Sequence, residues 1–275
     1  MTTASIVTYN HTLSDIKPTL DSLVGSDVVR IYIVDHSDNY MNLRNELAAY
    51  ATTANVTHGR LLYVRHKNLG YGSGHNVAIR AALRLGTNYH AVVNPDVWFD
   101  PSVSSELYAF MEANPEIGLS MPNVLYPDGS TQHLCKLLPA PSDMFLRLCF
   151  PFLWKKGNER YELRHSGYDR IMNVPFLSGC FMFLRADALR KVGLFDETFF
   201  MYAEDIDLSR RIHEQYKTMF FPSANIYHKF SRASRHSMRL FCIHVSNIAH
   251  YFNKWGWFND PQREEINKAT LSQFQ

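Results

Sequence analysis

The sequence predicts an α/β fold, a mainly parallel Rossmann-like sheet flanked by helices, with a helical appendage at its C-terminal end. Three observations predict it. Strand-like and helix-like segments alternate through the first half of the chain. Polar residues gather where each strand-like segment stops. Finally, 46% of the 275 residues are hydrophobic, enough for a substantial core.

Taken in order, "ASIVTYN" (4–10) reads as a buried strand and "TLSDIKPTLDSLVGS" as the helix after it. "VRIYIVDHS" (29–37) is a second strand, "NLRNELAAYA" a helix and "RLLYVRH" a third strand. "NVAIRAALRLG" is the next helix and "YHAVVNPDV" a fourth strand. Thr8, Tyr9, Asn10, Asp35, His66, Asn68, Asn94 and Asp96 fall at strand ends. In open parallel sheets ligands bind outside those ends, so these groups are expected to converge on one crevice. Met238, Cys242, Val245, Ala249 and Phe252 recur at helical spacing, which predicts an amphipathic C-terminal helix.

Charge and cysteine usage exclude several function classes. Lys and Arg number 28 against 26 Asp and Glu, a net charge of +2, so no global field calls for nucleic acid. Cys135, Cys149, Cys180 and Cys242 are widely spaced with no C-x-x-C pair, which argues against a zinc cluster and a disulfide framework. Reduced thiols and a cytoplasmic location are expected. Neither a secretory leader nor a membrane span is expected.

The stretch "NLGYGSGHN" (68–76) has the look of a phosphate-cradling turn. A G-x-G-x-x-G match from Gly70 needs glycine at position 75, where His75 stands. A complete strand-helix unit ending in Asp35 already precedes these glycines, which puts them in the wrong unit for a dinucleotide. A tight turn and another nucleotide-binding use both remain open.

"SIVTYN", "IYIVDHSDN", "NLGYGSGHNVAIR", "VVNPDVWFDP", "FLSGCFMFLRADALRKVGLFDETFFMYAEDIDLSRRI" and "ANIYHKFSRAS" occur in one order. In that order they resemble the inverting family-two glycosyltransferases of the GT-A fold, in particular the rhamnosyltransferase-like branch. The resemblance spans residues 4 to 236. It implies a GT-A domain over 1–236, with a nucleotide half near 1–100 and an acceptor half near 101–236, followed by a helical segment over 237–275. It also implies a dTDP- or UDP-sugar donor, Mg²⁺ or Mn²⁺, and transfer, most closely of L-rhamnose, to a glycan or lipid-linked acceptor of bacterial surface polysaccharide synthesis.

The resemblance assigns Thr8, Tyr9, Asn10, Asp35, Gly70, Asn76, Asn94, Asp96 and Arg232 to the nucleotide-sugar, and Gly179 and Glu204 to the acceptor. His36 stands where the family usually has asparagine. A carboxylate such as Asp35 accepts from the N3–H of uracil or thymine, a group that adenine lacks; alone, Asp35 reads equally as a helix cap. "NPD" keeps only Asp96 of the family's D-x-D pattern, and one carboxylate plus phosphate oxygens suffices for a divalent cation. By resemblance His228 in "IYHKF" is the late metal ligand beside Asp96, and an imidazole favours Mn²⁺. The basic run "KFSRASRH", with Lys229, Arg232, Arg235 and His236, suits a pyrophosphate and equally a solvated turn.

Within "YAEDIDL" the resemblance makes Asp205 the catalytic base and Glu204 its orienting neighbour, with Asp207 structural. Acids in a first helical turn are also ordinary dipole partners. Phe145, Phe150, Phe152 and Trp154 beside Lys155 and Lys156 form a patch suited to a peripheral membrane contact or a lipid-linked acceptor, and equally to core packing. Two further classes stay open. A sugar-nucleotide-binding protein would keep the cradle without the base, and a nucleotidyltransferase would carry a basic glycine-rich loop, which residues 4–15 lack.

Overall fold

The computed structural model describes residues 1–149, 155–229 and 237–274. The alternation predicted for the first half is present: β1 (Thr2–Thr8), α1 (Leu13–Gly25), β2 (Arg30–Asp35), α2 (Tyr40–Thr53), β3 (Leu61–Arg65), α3 (Tyr71–Leu85) and β4 (Tyr89–Val93). Thr12 opens α1 and its N–H donates to Asp15 at 2.8 Å, satisfying a donor the helix itself leaves free. Gly86, at φ 82°, ends α3 in the left-handed conformation that L side chains avoid.

The second half supplies β5 (Val97–Phe99), α4 (Ser102–Ala113), β6 (Ile117–Leu125), β7 (Cys135–Lys136), α5 (Pro141–Cys149) and α6 (Lys155–Tyr161). After them come β8 (Met172–Asn173), β9 (Phe176–Leu177), β10 (Phe181–Arg185), α7 (Ala186–Val192), α8 (Glu204–His213), β11 (Lys217–His228), α9 (Met238–Trp255) and α10 (Pro261–Ser272).

Eight strands run β3-β2-β1-β4-β10-β6-β11-β5, with β8 against β11; β7 and β9 make a separate ribbon. The β3-β2-β1-β4 block is parallel, β10 is antiparallel to β4 and β6, and β11 is parallel to β6 and antiparallel to β5. Because β10 enters antiparallel, the chain just before it lies at the carboxyl ends of β1 and β4, where ligands of open sheets bind.

The glycine stretch is not a loop throughout. Helix α3 begins at Tyr71, so Gly72 and Gly74 are helical and only Asn68 to Gly70 form the turn. A Cβ on Gly72 would stand 2.8 Å from Phe195 Cβ, and one on Gly74 would stand 2.8 Å from Val7 Cγ2. These glycines permit close packing of α3 on its neighbours.

The C-terminal helices are docked on α8. The buried face of α9 is Asn247, Ile248, Tyr251 and Phe252, packed with Phe199, Ala203 and Ile206. The stripe predicted from spacing is therefore rotated: Phe252 is buried, while Met238, Cys242 and Val245 are exposed. Buried Arg210 of α8 donates to Asp260 at 2.7 and 2.8 Å, and its guanidinium lies 4.0 Å from the Trp255 ring. Asp260 also accepts from Arg263 N at 3.0 Å and so caps α10.

Removing one member of that pair strands a buried charge, so Asp260→Ala is expected to destabilise the fold by about 3–5 kcal/mol. The double variant Arg210→Met/Asp260→Leu should recover all but about 1 kcal/mol, the lost cap. Urea unfolding of the three proteins checks this.

Candidate active site

Three strand registers assemble the site. Thr8 of β1 lies opposite Asp35 of β2, at their carboxyl ends. Phe181 of β10 lies opposite Val93 of β4, which places Cys180 beside Asn94, whose N–H donates to the Cys180 carbonyl at 2.9 Å. His228 of β11 lies opposite Val97 of β5, and the next pair is Lys229 N donating to Asp96 O at 3.0 Å. A cleft of about 1820 Å³ opens along this edge, lined by Thr8, Tyr9, His36, Asn94, Asp96, Gly179, Glu204, Asp205, His228 and Lys229 among others. It exceeds the 300–1,000 Å³ of an ordinary small-molecule pocket, so it has room for two substrates.

At the β1–β2 end, Asp35 stands behind the cleft wall. Its carboxylate accepts from Thr8 Oγ1 at 3.0 Å, Ser37 Oγ at 2.6 Å, Ser37 N at 3.1 Å and Tyr63 Oη at 2.7 Å. Three of these donors fall on Oδ1 and one on Oδ2, and the carboxylate is fully buried, so contact with a base requires the wall in front of it to move. Asn10, at φ 56°, is exposed, and its N–H donates to Ser37 Oγ at 2.7 Å. His36 faces the cleft with its buried Nε2 unpartnered among the described residues, and burial first, then His66, depress its basicity.

Gly70 and Asn76 serve the loop that leads to α8. A Cβ on Gly70 would stand 2.2 Å from the Phe200 carbonyl oxygen, and Tyr71 N donates to that oxygen at 2.8 Å. Asn76 donates to Phe195 O at 2.8 Å and to Glu197 at 2.9 Å, and accepts from Phe195 N at 3.1 Å. Its whole amide is engaged away from the cleft. Tyr71 donates to Gly179 O at 2.6 Å and stands 3.1 Å from Asn94 Oδ1, which joins α3, the β4 end and the β10 approach.

In the middle of the cleft, His228 Nε2 lies 3.4 Å from Asp96 Oδ1. Gln132 orders this pair. Its Nε2 donates to His228 O at 2.7 Å, so its Oε1 faces His228 Nδ1 at 3.0 Å and fixes a proton there. Burial alone would depress the imidazole; the Cys180 sulfur and the Asp96 carboxylate outweigh it and lift His228 to about 10. A cation binding at Nε2 would displace the proton on Nε2 and leave the one on Nδ1. Among the described residues no three His, Cys, Asp or Glu side chains form a metal-holding cluster. The pair by itself fits a cation completed by ligand oxygens, since cis ligands of an octahedral cation stand about 3 Å apart.

At the far end, Asp205 Oδ2 accepts from Gly179 N and Oδ1 from Ile206 N, each at 2.9 Å. Glu204 is buried, with Oε2 unpartnered among the described residues. Burial, then the Asp205 charge, push the Glu204 carboxyl well above the usual range. Burial raises Asp205 too, but the Gly179 N–H and the Lys136 charge act against it. The proton of the pair therefore sits on Glu204, and Asp205 is the carboxylate. Asp207 points away from the cleft, to Arg211 at 2.8 Å, Lys254 at 2.8 Å and Trp255 Nε1 at 2.9 Å. Arg232, Arg235, His236, Phe150, Phe152 and Trp154 lie outside the described residues. Gln132, Tyr71 and Lys136 were not singled out by sequence; nothing local marks them, because each acts on a residue far away in the chain.

This sheet and its cleft define a glycosyltransferase of the GT-A fold. Residues 3–193 match the model of glycosyl transferase family 2, and the chain belongs to that family. Within it the chain is rhamnosyltransferase-like. It is 27% identical over 212 residues to the N-acetylglucosaminyl-diphospho-decaprenol L-rhamnosyltransferase of Mycobacterium tuberculosis, covering 71% of this chain and 68% of the relative.

Solved structures of similar fold include GalNAc-T7 with UDP, GalNAc and Mn²⁺, at TM-score 0.60 and 14% identity, over 83% of this chain and 43% of that one. The mannosyltransferase PcManGT of Pyrobaculum calidifontis with GDP-Man and Mn²⁺ matches at TM-score 0.59 and 15% identity, over 99% and 74%. S. aureus TarS 1–349 matches at TM-score 0.57 and 15% identity, over 100% and 72%. No helix among the described residues is long and apolar enough to cross a membrane.

Native protein holds a proton on Glu204 that the unfolded chain releases near pH 4, so this group should lower stability as pH rises from about 4 through its raised value. Glu204→Gln removes the titrating group. Its urea midpoint should gain on wild type across that window; a constant difference between the two proteins would contradict the assignment.

Proposed function

We propose that the chain transfers L-rhamnose from a dTDP- or UDP-linked donor to a hydroxyl of a glycan or lipid-linked acceptor, by single displacement with inversion. The observation that carries this reading is the placement of two different acidic centres on one cleft: Asp96 paired with His228, and Asp205 held by two backbone N–H groups. The rhamnosyltransferase relative, whose name gives a lipid-linked diphosphate acceptor, supports the sugar and the acceptor class. The Mn²⁺ of two fold neighbours supports a divalent cation.

In this reading residues 1–100 hold the nucleotide, 101–236 the acceptor, and 237–275 brace α8. The pyrimidine lies at Thr8, Tyr9 and His36, with Asp35 ordering Thr8 from behind. Asp96 and His228 would hold Mg²⁺ or Mn²⁺, which when bound neutralises charge on the departing diphosphate. Lys229 adds positive charge on the same side. Asp205 takes the proton of the acceptor hydroxyl as the new bond forms, and protonated Glu204 beside it keeps negative charge from accumulating. The protein works at the cytoplasmic face of the membrane as a peripheral enzyme of surface-polysaccharide synthesis.

Asp205→Asn keeps shape and removes basicity, so turnover should fall at least about 100-fold while calorimetry shows unchanged dTDP- or UDP-sugar affinity. Asp96→Ala should instead weaken metal-dependent donor binding. Tight binding of GDP-mannose in place of the pyrimidine donors, or full turnover by Asp205→Asn, would overturn the reading.

A further inference from the structure

The acceptor side of the cleft carries cations that the donor chemistry does not use. Lys136, on β7, and Arg147, on α5, line the same cleft as Asp205, with Asn158, Tyr161 and His244 around them. Among the described residues the Lys136 ammonium makes no hydrogen bond and no ion pair within 4 Å; it lies 4.9 Å from the Phe176 ring centroid. Arg147 lies over the Tyr161 ring, 4.6 Å from its centroid, and donates to Glu162 at 3.2 Å. That carboxylate is already held by Arg164, with bonds of 2.9 and 2.6 Å.

The unused nitrogens point to something missing. Among the described residues Arg147 Nη1 and His244 Nδ1 are buried and have no hydrogen-bond partner, although His244 is ordered by stacking on Tyr202 with ring centroids 4.6 Å apart. Buried N–H groups and cations without acceptors are unfavourable unless an anion supplies the oxygens. Burial, then the neighbouring Arg147 charge, depress Lys136, and burial first, then Arg147 and Lys136, act against protonation of His244, so these groups feel one another across a shared space. Two cations repelling at one spot are stabilised by a dianion, and a guanidinium fork suits phosphoryl oxygens.

We propose that Lys136 and Arg147, with His244, form an anion subsite on the acceptor side of the cleft that holds the diphosphate of a glycosyl-diphospho-lipid acceptor. The inference rests on the transferase reading above and deepens it: the diphosphate sits one sugar away from the hydroxyl that meets Asp205. Met238, 77% exposed, lines the same cleft and offers an apolar surface to the lipid. This subsite is separate from Asp96 and His228, so the cleft reads two diphosphates with two different devices, one through a cation and one through side-chain N–H groups.

The test is calorimetry on full-length protein saturated with UDP and Mg²⁺, titrated with undecyl-diphospho-N-acetylglucosamine and with the phosphate-free undecyl N-acetylglucosaminide. Wild type should bind the diphosphate compound at least about tenfold more tightly, as expected when charge-assisted bonds are lost. Lys136→Met and Arg147→Met should each lose that preference, bind the phosphate-free compound as wild type does, and keep wild-type UDP affinity. Equal binding of both compounds by wild type, or variants that keep the preference, would overturn the subsite. Failure of wild type to bind any pyrimidine nucleotide would count against the transferase reading instead. Sedimentation with phosphatidylglycerol vesicles separates a lipid headgroup from the acceptor's own diphosphate. Vesicle binding should be the same in wild type and variants, and its loss in variants that keep the diphosphate preference would also overturn the proposal.

Discussion

The site depends on one backbone-to-backbone contact. Gly70, at φ 105°, lets the start of α3 press against Phe200, where any Cβ would meet the carbonyl oxygen at 2.2 Å, and Tyr71 N donates to the same oxygen at 2.8 Å. Only glycine satisfies both the left-handed φ and the space. From Phe200 the chain turns through Tyr202 and Ala203, at φ 70° and 75°, directly into Glu204 and Asp205. Non-glycine residues hold such angles only where their surroundings over-determine them. Here the Gly70 contact and the Asn76 clamp on Phe195 and Glu197 do so. The glycine stretch thus acts as the joint between α3 and the chain that enters α8.

Strand register does the rest of the positioning. A one-residue slip of β11 on β5 would carry His228 away from Asp96 and turn its side chain to the other face of the sheet. The antiparallel entry of β10 delivers Gly179, whose N–H holds Asp205 and whose carbonyl holds Tyr71, so both peptide groups of one residue link Asp205 to α3. Behind α8, the Arg210–Asp260 pair and the α9 face resist movement of the helix that carries both acids. The C-terminal segment therefore braces the helix that carries Glu204 and Asp205.

The strand ends were legible because hydrophobic runs stop at polar residues, and α8 was legible because acids precede an apolar periodicity ending in arginines. The nearness of Asp96 and His228 came from resemblance, since 132 residues separate them and no local pattern joins them. Local reading failed where a polar residue takes an apolar place. Asn247 lies on the buried face of α9 because its side chain donates to Met201 O at 2.6 Å, so counting hydrophobics alone rotated the stripe. It failed again at "GYGSGH", where glycines in sequence suggest a loop but tertiary packing makes them helical. Gln132, Lys136 and Arg147 had no signal, since their meaning lies in what other elements bring beside them.

In the proposed reaction the proton and the diphosphate leave at two different places on one cleft: the proton at Asp205, the diphosphate at Asp96 and His228. With the base and the leaving-group site on different groups, the proposed reaction is a single displacement that needs no covalent sugar-enzyme intermediate. The measurement that tests it most directly is the anomeric configuration of the first-formed product, read by proton NMR from a donor of known configuration. Inversion is the predicted result. Retention of the donor's configuration would contradict single displacement and remove Asp205 from its role as base.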